Sequence, residues 1–297
     1  MIAVDWGTSS LRVFRLAGDG RIIDSRHSDN GVLAAAGRFE QVLVEQIDGW
    51  DDALIVMTGM VGSRQGWHEV PYVDCPAGLD EIAAGMQRLQ SHRLQGRDIW
   101  ITPGLSARRS GDLHDLMRGE ETQVCGLLED LPPGEHYLCL AGTHSKHVRV
   151  ADGRITALST LMTGEMYEVL CQHSILGRLM QPGPHHEAVF KKGVDLAAAG
   201  NDLLADLFAV RTQGVLGYVN AAWLQSYLSG ILIGHELNVI PAGTRSVHLV
   251  ASSSLQLPYR TALARRGFNV VVHAESCAAR GLHALAARRG LAGVAAT

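Results

Sequence analysis

The sequence predicts an α/β protein made of two related halves, and three observations predict it. The stretch GTSSLRVFRLAGDGRI from Gly7 returns, shortened, as GTHSKHVRVADGRI from Gly142. In both halves short apolar runs alternate with longer amphipathic stretches, as strands and helices do. Between them, Leu131-Pro132-Pro133-Gly134 breaks the chain. The expected domains are residues 1–131 and 132–297, the last helix being free to pack back on the first domain.

Taken in order, residues 2–4 form a strand that runs into the Gly7 turn. Residues 11–16 and 21–25 continue a meander around Gly18-Asp19-Gly20. A helix is expected over 38–47, then a buried strand over 53–57 followed by the glycine-rich loop TGMVGSRQGW. A strand over 99–102 stops at Pro103-Gly104, and a helix opens near Arg118-Gly119-Glu120. The second half restarts with a strand over 137–140, the 142–145 turn, and return strands over 148–150 and 155–158. Helices are expected over 164–179, 202–210, 220–237, 255–265 and 276–289, with strands over 247–250 and 269–272. His185-His186, beside Pro182 and Pro184, reads as a solvated loop, because no carboxylate or third histidine has metal-ligand spacing.

Composition narrows the partners. The 297 residues are 46% hydrophobic and 19% charged with a net charge of −4, ordinary for a soluble globular protein. Arginine pairs are dispersed and form no basic stripe, which argues against nucleic acid. No apolar run approaches the ~18 residues of a membrane span, and the N-terminus starts on a strand-like run with no secretion signal. Cys75, Cys125, Cys139, Cys171 and Cys277 are odd in number, scattered and without CxxC spacing. They point to a reduced cytoplasmic protein. No G-x-x-x-x-G-K-[ST] loop is present, so a P-loop is not supported.

The duplicated stretch carries chemistry. A strand–turn–strand with Gly-Thr-Ser at its tip offers backbone N–H and hydroxyl donors at one end of a sheet, which suits a phosphate. Singly, each tip reads better as a plain hairpin with small turn residues; their matched positions in two halves favour the phosphate reading.

Five segments extend the argument: VDWGTSSLR from Val4, MVGSRQGW from Met60, MRGEETQ from Met117, GTHSKH from Gly142 and MTGE from Met162. With these the chain resembles the actin, hexokinase and heat-shock chaperone ATPase superfamily, and within it the family of 2-dehydro-3-deoxygalactonokinases. The resemblance implies two related domains of mixed sheet flanked by helices, of ribonuclease H-like fold, with nucleotide in a cleft between them. It also implies a kinase that uses ATP and Mg²⁺ to phosphorylate the 6-hydroxyl of 2-dehydro-3-deoxy-D-galactonate in galactonate degradation. Two alternatives stay open: a kinase of this fold for another sugar or sugar acid, and a nucleotide-gated binding module without kinase activity. A homo-oligomer is also left open.

Candidate roles follow. Asp5, beside a phosphate-binding turn, suits Mg²⁺, through water, or else caps its strand. Gly7, Thr8, Ser9, Ser10 and Arg12 are the first set of phosphate ligands; Gly142, Thr143, His144, Ser145 and Lys146 are the second. The superfamily's acidic residue before the second turn is replaced here by Ala141, and His144 reads better as a hydrogen-bonder than as an acid or base. Glu120 is the expected general base, with Glu121 and Glu165 as rivals; the other reading of Glu120 and Glu121 is favourable charge at a helix start. Substrate contacts are expected from Gly59, Met60, Gly62, Ser63, Trp67, Arg118, Glu121 and Glu165. Arg118 suits the sugar-acid carboxylate, and Trp67 either stacks on the sugar or packs. The adenosine side is expected at Ala251, Ser252 and Ser253, where the glycines usual in the superfamily are missing, with Glu275 in support.

Overall fold

Apolar strands no longer than eight residues build the sheets of this computed structural model, which describes residues 1–109 and 111–291. β1 (Ile2–Trp6), β2 (Leu11–Leu16) and β3 (Ile22–Ser28) form the expected antiparallel meander. α1 (Val32–Ala35) and α2 (Phe39–Gln46) lead to β4 (Leu54–Gly59), which runs parallel to β1 with Asp5 opposite Thr58 and Trp6 opposite Gly59. β5 (Val73–Asp74), α3 (Leu79–Ala84), β6 (Gln87–Leu89) and β7 (Asp98–Ile101) follow, and the first sheet has the order β3-β2-β1-β4-β7-β6. β8 (Leu105–Arg108) and β9 (His114–Met117) pair as a hairpin and join β5 in a small second sheet. α4 (Glu120–Leu128) begins at Gly119.

The duplicated tip opens the next sheet. β10 (Glu135–Ala141), β11 (Ser145–Ala151) and β12 (Arg154–Leu161) repeat the meander. α5 (Thr163–His173), α6 (Glu187–Ala198), α7 (Leu203–Val215) and α8 (Leu224–Glu236) intervene before β13 (Ser246–Ala251), α9 (Ser253–Arg265), β14 (Asn269–His273) and α10 (Cys277–Arg288). The sheet order is β12-β11-β10-β13-β14, with β13 parallel to both neighbours. Both large sheets thus place a parallel strand beside the first strand of a meander.

The chain forms two compact units interleaved in sequence. One comprises Met1–Glu135, Arg149–Leu158 and the segment from Glu275; the other comprises His136–Val148 and Ser159–Ala274. In the first unit, α10 lies on α4 where Gly126 faces Cys277 and Gly281 faces Thr122, with no room for a Cβ at either glycine. Its core gathers Ile2, Val4, Trp6, Leu11, Ile55, Met57 and Ile99. β1 is apolar at four of its five positions because both faces of the strand are covered.

In the second unit His185 and His186 lie in a loop, as expected, and the segment that follows them is a helix to which the sequence reading assigned no element. His186 caps α6, its Nδ1 accepting from the Val189 N–H at 3.3 Å, and its ring packs on Trp223. α6 crosses α8 closely through Gly193 and Gly230, and fully buried Phe190 joins Val194, Ile233 and Leu237 in the core. Burying a side chain of that size contributes roughly 2–3 kcal/mol. The helix expected over 164–179 ends at His173, and a separate turn spans Gly177–Leu179. Gly177 accounts for the break, since it lies against the Cys171 carbonyl. Among the described residues no helix is long and apolar enough to cross a membrane.

Candidate active site

In the first unit the C-terminal ends of β1 and β4 meet the start of α4. The tip after β1 is closed by the Gly7 N–H donating to the Ser10 carbonyl at 2.9 Å. The N–H groups of Val32 and Leu33 donate to the Gly7 and Thr8 carbonyls, at 2.9 and 3.3 Å. Gly31 lets α1 approach, because a Cβ there would strike Thr8 and Ser9. These bonds occupy tip carbonyls and leave the exposed Thr8 and Ser9 hydroxyls facing solvent.

Asp5 stands at the base of this tip. Its Oδ2 accepts from Arg12 Nη2 at 2.7 Å, and Arg12 Nη1 lies 3.3 Å from Glu275 Oε1. Burial pushes the Asp5 carboxyl above its ordinary range, Arg12 pulls it back, and Glu275 adds to the rise. Arg12 therefore spans two carboxylates, and Glu275 belongs to the first unit, whereas Ala251, Ser252 and Ser253 belong to the second.

Next to it, Gly59 (φ 93°) and Gly119 (φ 109°) let β4 and α4 touch: a Cβ on Gly119 would lie 3.2 Å from Gly59 Cα, and one on Gly59 would meet the Trp6 carbonyl at 2.6 Å. Both φ values lie in the region that favours glycine. This turn sends two adjacent carboxylates to different surroundings. Glu120 is partly exposed, and its Oε2 accepts from the Arg118 N–H at 3.0 Å. Glu121 has no exposed surface; its Oε2 accepts from the Gly119 N–H at 2.7 Å and its Oε1 from the Thr58 hydroxyl at 3.1 Å. Burial, with Glu120 repulsion behind it, pushes Glu121 up to about 8. Both oxygens of Glu121, expected from the sequence among the substrate contacts, are thus turned inward to Gly119 and Thr58.

Arg118 is held from one side only. Its Nη2 donates to the Val70 carbonyl at 2.7 Å and its guanidinium lies 4.2 Å from the Tyr72 ring centre. Nε and Nη1 are buried and have no hydrogen-bond partner among the described residues. Gly62 makes the space, since a Cβ there would lie 2.9 Å from Nη1. Of the remaining loop residues, Ser63 donates to the Met60 carbonyl at 2.7 Å, and Trp67 stacks on Phe39 with ring centres 6.3 Å apart. Trp67 packs against the core.

The second unit holds the other tip. Gly142 is partly exposed, and Thr143 and His144 are exposed. α5 closes on them: Gly164 packs against Gly142 and Thr143, the Glu165 N–H donates to the Thr143 carbonyl at 3.1 Å, and Glu165 Oε2 lies 2.5 Å from His144 Nε2. Ser145 and Lys146 depart from the expected outward donors. Ser145 has no exposed surface and its hydroxyl lies 2.8 Å from that of Tyr259; Lys146 turns to the opposite face of β11 and donates to the Thr160 hydroxyl at 2.9 Å. Strand alternation from Ser145 onward accounts for both placements.

A cavity of about 260 Å³ opens beside this tip, lined among others by Gly142, Gly164, Tyr167, Ser254, Leu255 and Tyr259. It sits at the N-terminus of α9, directly after Ala251, Ser252 and Ser253. Sequence reasoning gave no role to Tyr259, Glu236 or Thr58. A signal for one of them was present: Glu236 ends the apolar run LSGILIGHE, where a lone carboxylate implies buried partners.

A family model described as 2-keto-3-deoxy-galactonokinase matches residues 5–285. The chain is 39% identical over 296 residues to the Rhizobium meliloti (strain 1021) protein named Probable 2-dehydro-3-deoxygalactonokinase DgoK1, covering 96% of this chain and 95% of that one. It is 35% identical to the 2-dehydro-3-deoxygalactonokinase of Escherichia coli (strain K12), covering 91% of each. A crystal structure of a Sinorhizobium meliloti protein assigned as 2-dehydro-3-deoxygalactonokinase superimposes with a TM-score of 0.87 at 36% identity, over 96% of this chain and 97% of that one. The activator of 2-hydroxyisocaproyl-CoA dehydratase from Clostridium difficile, with bound ADPNP, shares the fold at a TM-score of 0.51 and 11% identity, over 98% and 96% of the two chains.

Proposed function

Because the chain belongs to the 2-keto-3-deoxy-galactonokinase family, we propose that it transfers the γ-phosphoryl group of ATP to the 6-hydroxyl of 2-dehydro-3-deoxy-D-galactonate. The observation that carries the substrate class is Arg118. A buried guanidinium with two unpartnered N–H sites is costly to leave unmatched, and a carboxylate matches it with charge-assisted bonds. Glu120 follows one residue after Gly119, so the sugar acid's charged end and the proton acceptor are set by one short segment.

In the step itself, the 6-oxygen forms a bond to the γ-phosphorus while the bond from that phosphorus to the ADP oxygen breaks. The hydroxyl proton passes to Glu120, whose work is modest because the proton leaves late and phosphoryl transfer rests on positioning and charge stabilisation. Glu121, protonated near neutral pH, is a poor acceptor and supports the Gly119 turn. Gly7, Thr8, Ser9 and Ser10 form a donor-lined tip of the first unit that suits phosphate oxygens. Gly142, Thr143 and His144 form a like tip of the second unit, beside the cavity that follows Ala251, Ser252 and Ser253 and suits adenosine. Asp5 fits Mg²⁺ through water: Arg12 holds Oδ2, while Oδ1 makes no hydrogen bond among the described residues. Bound Mg²⁺ supplies charge neutralisation at the phosphates.

ATP dependence and five unpaired cysteines support a cytoplasmic location. The test is coupled ADP release across a panel of sugar acids and neutral sugars. Turnover stimulated by 2-dehydro-3-deoxy-D-galactonate is expected; turnover indifferent to every carboxylate-bearing sugar would refute the reading.

A further inference from the structure

Behind the second tip lies a buried polar chain that the reaction as described does not use. Ser145 Oγ is 2.8 Å from Tyr259 Oη, and Tyr259 donates to Glu236 Oε2 at 2.7 Å. Glu236 Oε1 is 2.8 Å from His147 Nε2, and His147 Nδ1 is 3.1 Å from the Tyr137 hydroxyl. Cys139 Sγ completes the group, 3.8 Å from His147 Nε2 and 4.0 Å from Glu236 Oε1. Ser145, Tyr259, Glu236 and His147 are at most 2% exposed.

Proton counting fixes the direction of this chain. Tyr259 has one hydroxyl proton and gives it to the Glu236 carboxylate, so at 2.8 Å Ser145 is the donor to Tyr259. The Ser145 proton is thereby directed inward, and the tip is anchored through its last residue. Tyr259 has a second neighbour: with Gly142 at the start of the tip, it lines the 260 Å³ cavity. One residue therefore both hydrogen-bonds the end of the tip and borders the cavity.

Burying Glu236 costs several kcal/mol unless its donors are well placed. In such settings apolar side chains of equal volume often leave a fold as stable or more so. Stability alone therefore does not call for this arrangement, whereas fixing the orientation of the tip does. We propose that Tyr259, held by Glu236 and His147, is a positioning residue that sets the phosphate-facing geometry of residues 142–145 and links it to occupation of the adjacent cavity by the nucleoside. The inference rests on the reading of that cavity as the adenosine site.

The test measures adenosine and ADP binding by calorimetry for the wild type, Tyr259→Phe, Ser145→Ala and the double variant. Tyr259→Phe keeps the ring, so adenosine affinity stays within about twofold while ADP binds roughly five- to tenfold more weakly, the scale of one lost hydrogen bond. Ser145→Ala cuts the same link from the other end without unpairing Glu236, so it reproduces the ADP effect if Tyr259→Phe folds poorly. The double variant is no worse than either single one, because both remove one interaction. In turnover assays KM for ATP rises and KM for the sugar acid does not. Equal weakening of adenosine and ADP, no weakening of ADP, or additive effects would overturn the inference while leaving the cavity assignment intact. A wild-type protein that binds neither adenosine nor ADP would overturn both.

Discussion

Replacing Glu121 by glutamine tests whether this buried carboxyl is neutral in the working protein. Its proton affinity moves from an ordinary 4.5 to about 8, chiefly through burial and secondly through Glu120, against hydrogen bonds from Gly119 and Thr58. At pH 7 about nine in ten folded molecules then carry the proton on Glu121, while the unfolded chain has lost it. Between pH 4.5 and 8 the folded state holds one more proton than the unfolded state, so stability falls as pH rises. This stabilisation is fully present below pH 4.5, falls by about 1.4 kcal/mol per pH unit to a total loss of up to roughly 5 kcal/mol, and changes no further above pH 8. Glutamine is a close mimic of the protonated acid: its oxygen accepts from the Gly119 N–H and its amide donates to Thr58. Glu121→Gln should match the wild type near pH 4.5 and be the more stable protein by several kcal/mol at pH 8, read from urea midpoints across that range. Turnover should stay within a few fold. A stability gap that is the same at both ends of the pH range would refute the assigned protonation state, and a collapse of turnover would show that an ionised Glu121 takes part in the chemistry.

Glu120→Gln should lower turnover by about 10²–10⁴-fold with KM for ATP near normal, the loss expected when a positioned base is removed; unchanged turnover in the coupled assay would move the base to Glu165. Arg118→Ala should raise KM for the sugar acid roughly 10- to 100-fold, the worth of charge-assisted hydrogen bonds, and Arg118→Lys should not restore it because a point charge cannot replace the fork. A KM unchanged in Arg118→Ala would remove the carboxylate assignment. Gly230→Ala should destabilise the second unit by about 1–3 kcal/mol, since its Cβ would meet the backbone of Phe190 on α6, which cannot yield as a side-chain end can. Denaturant unfolding checks this, and a silent substitution would mean that the two helices separate at little cost.

The meanders were legible because their turns carry Gly and Asp at fixed offsets and their strands are apolar. β1, with one partly buried acid in IAVDW, admits little else. α6 was not legible. EAVFKKGVDLAA is amphipathic, but its start is marked by a histidine, an uncommon cap, and its packing depends on Gly193 meeting Gly230 far along the chain. The small sheet of β5, β8 and β9 was missed for a related reason, because its strands are two to four residues long and gain their order from pairing. Within the site, motif reading found the tips and Arg118-Gly119-Glu120 but not the inward turn of Ser145. Once β11 begins at Ser145, alternation decides which side chains face the interior, and a one-residue difference in where the turn ends reverses that outcome.

Glu120 and Glu121 show why residue type alone does not assign a role. The two are neighbours with the same functional group, and in sequence either serves as a base or as charge at a helix start. Gly119, at a φ that favours glycine, turns the chain so that Glu120 stays at the surface of the site while Glu121 points under β4 to Thr58. A carboxyl pressed inward keeps its proton and becomes a strut, whereas Glu120, partly exposed, is the one proposed above as the proton acceptor. The separation depends on Gly59 and Gly119 touching, since a side chain on Gly119 would push α4 away from β4 and bring water to Glu121. Its proton affinity would then fall toward 4.5, and two neighbouring anions would repel each other where one is needed.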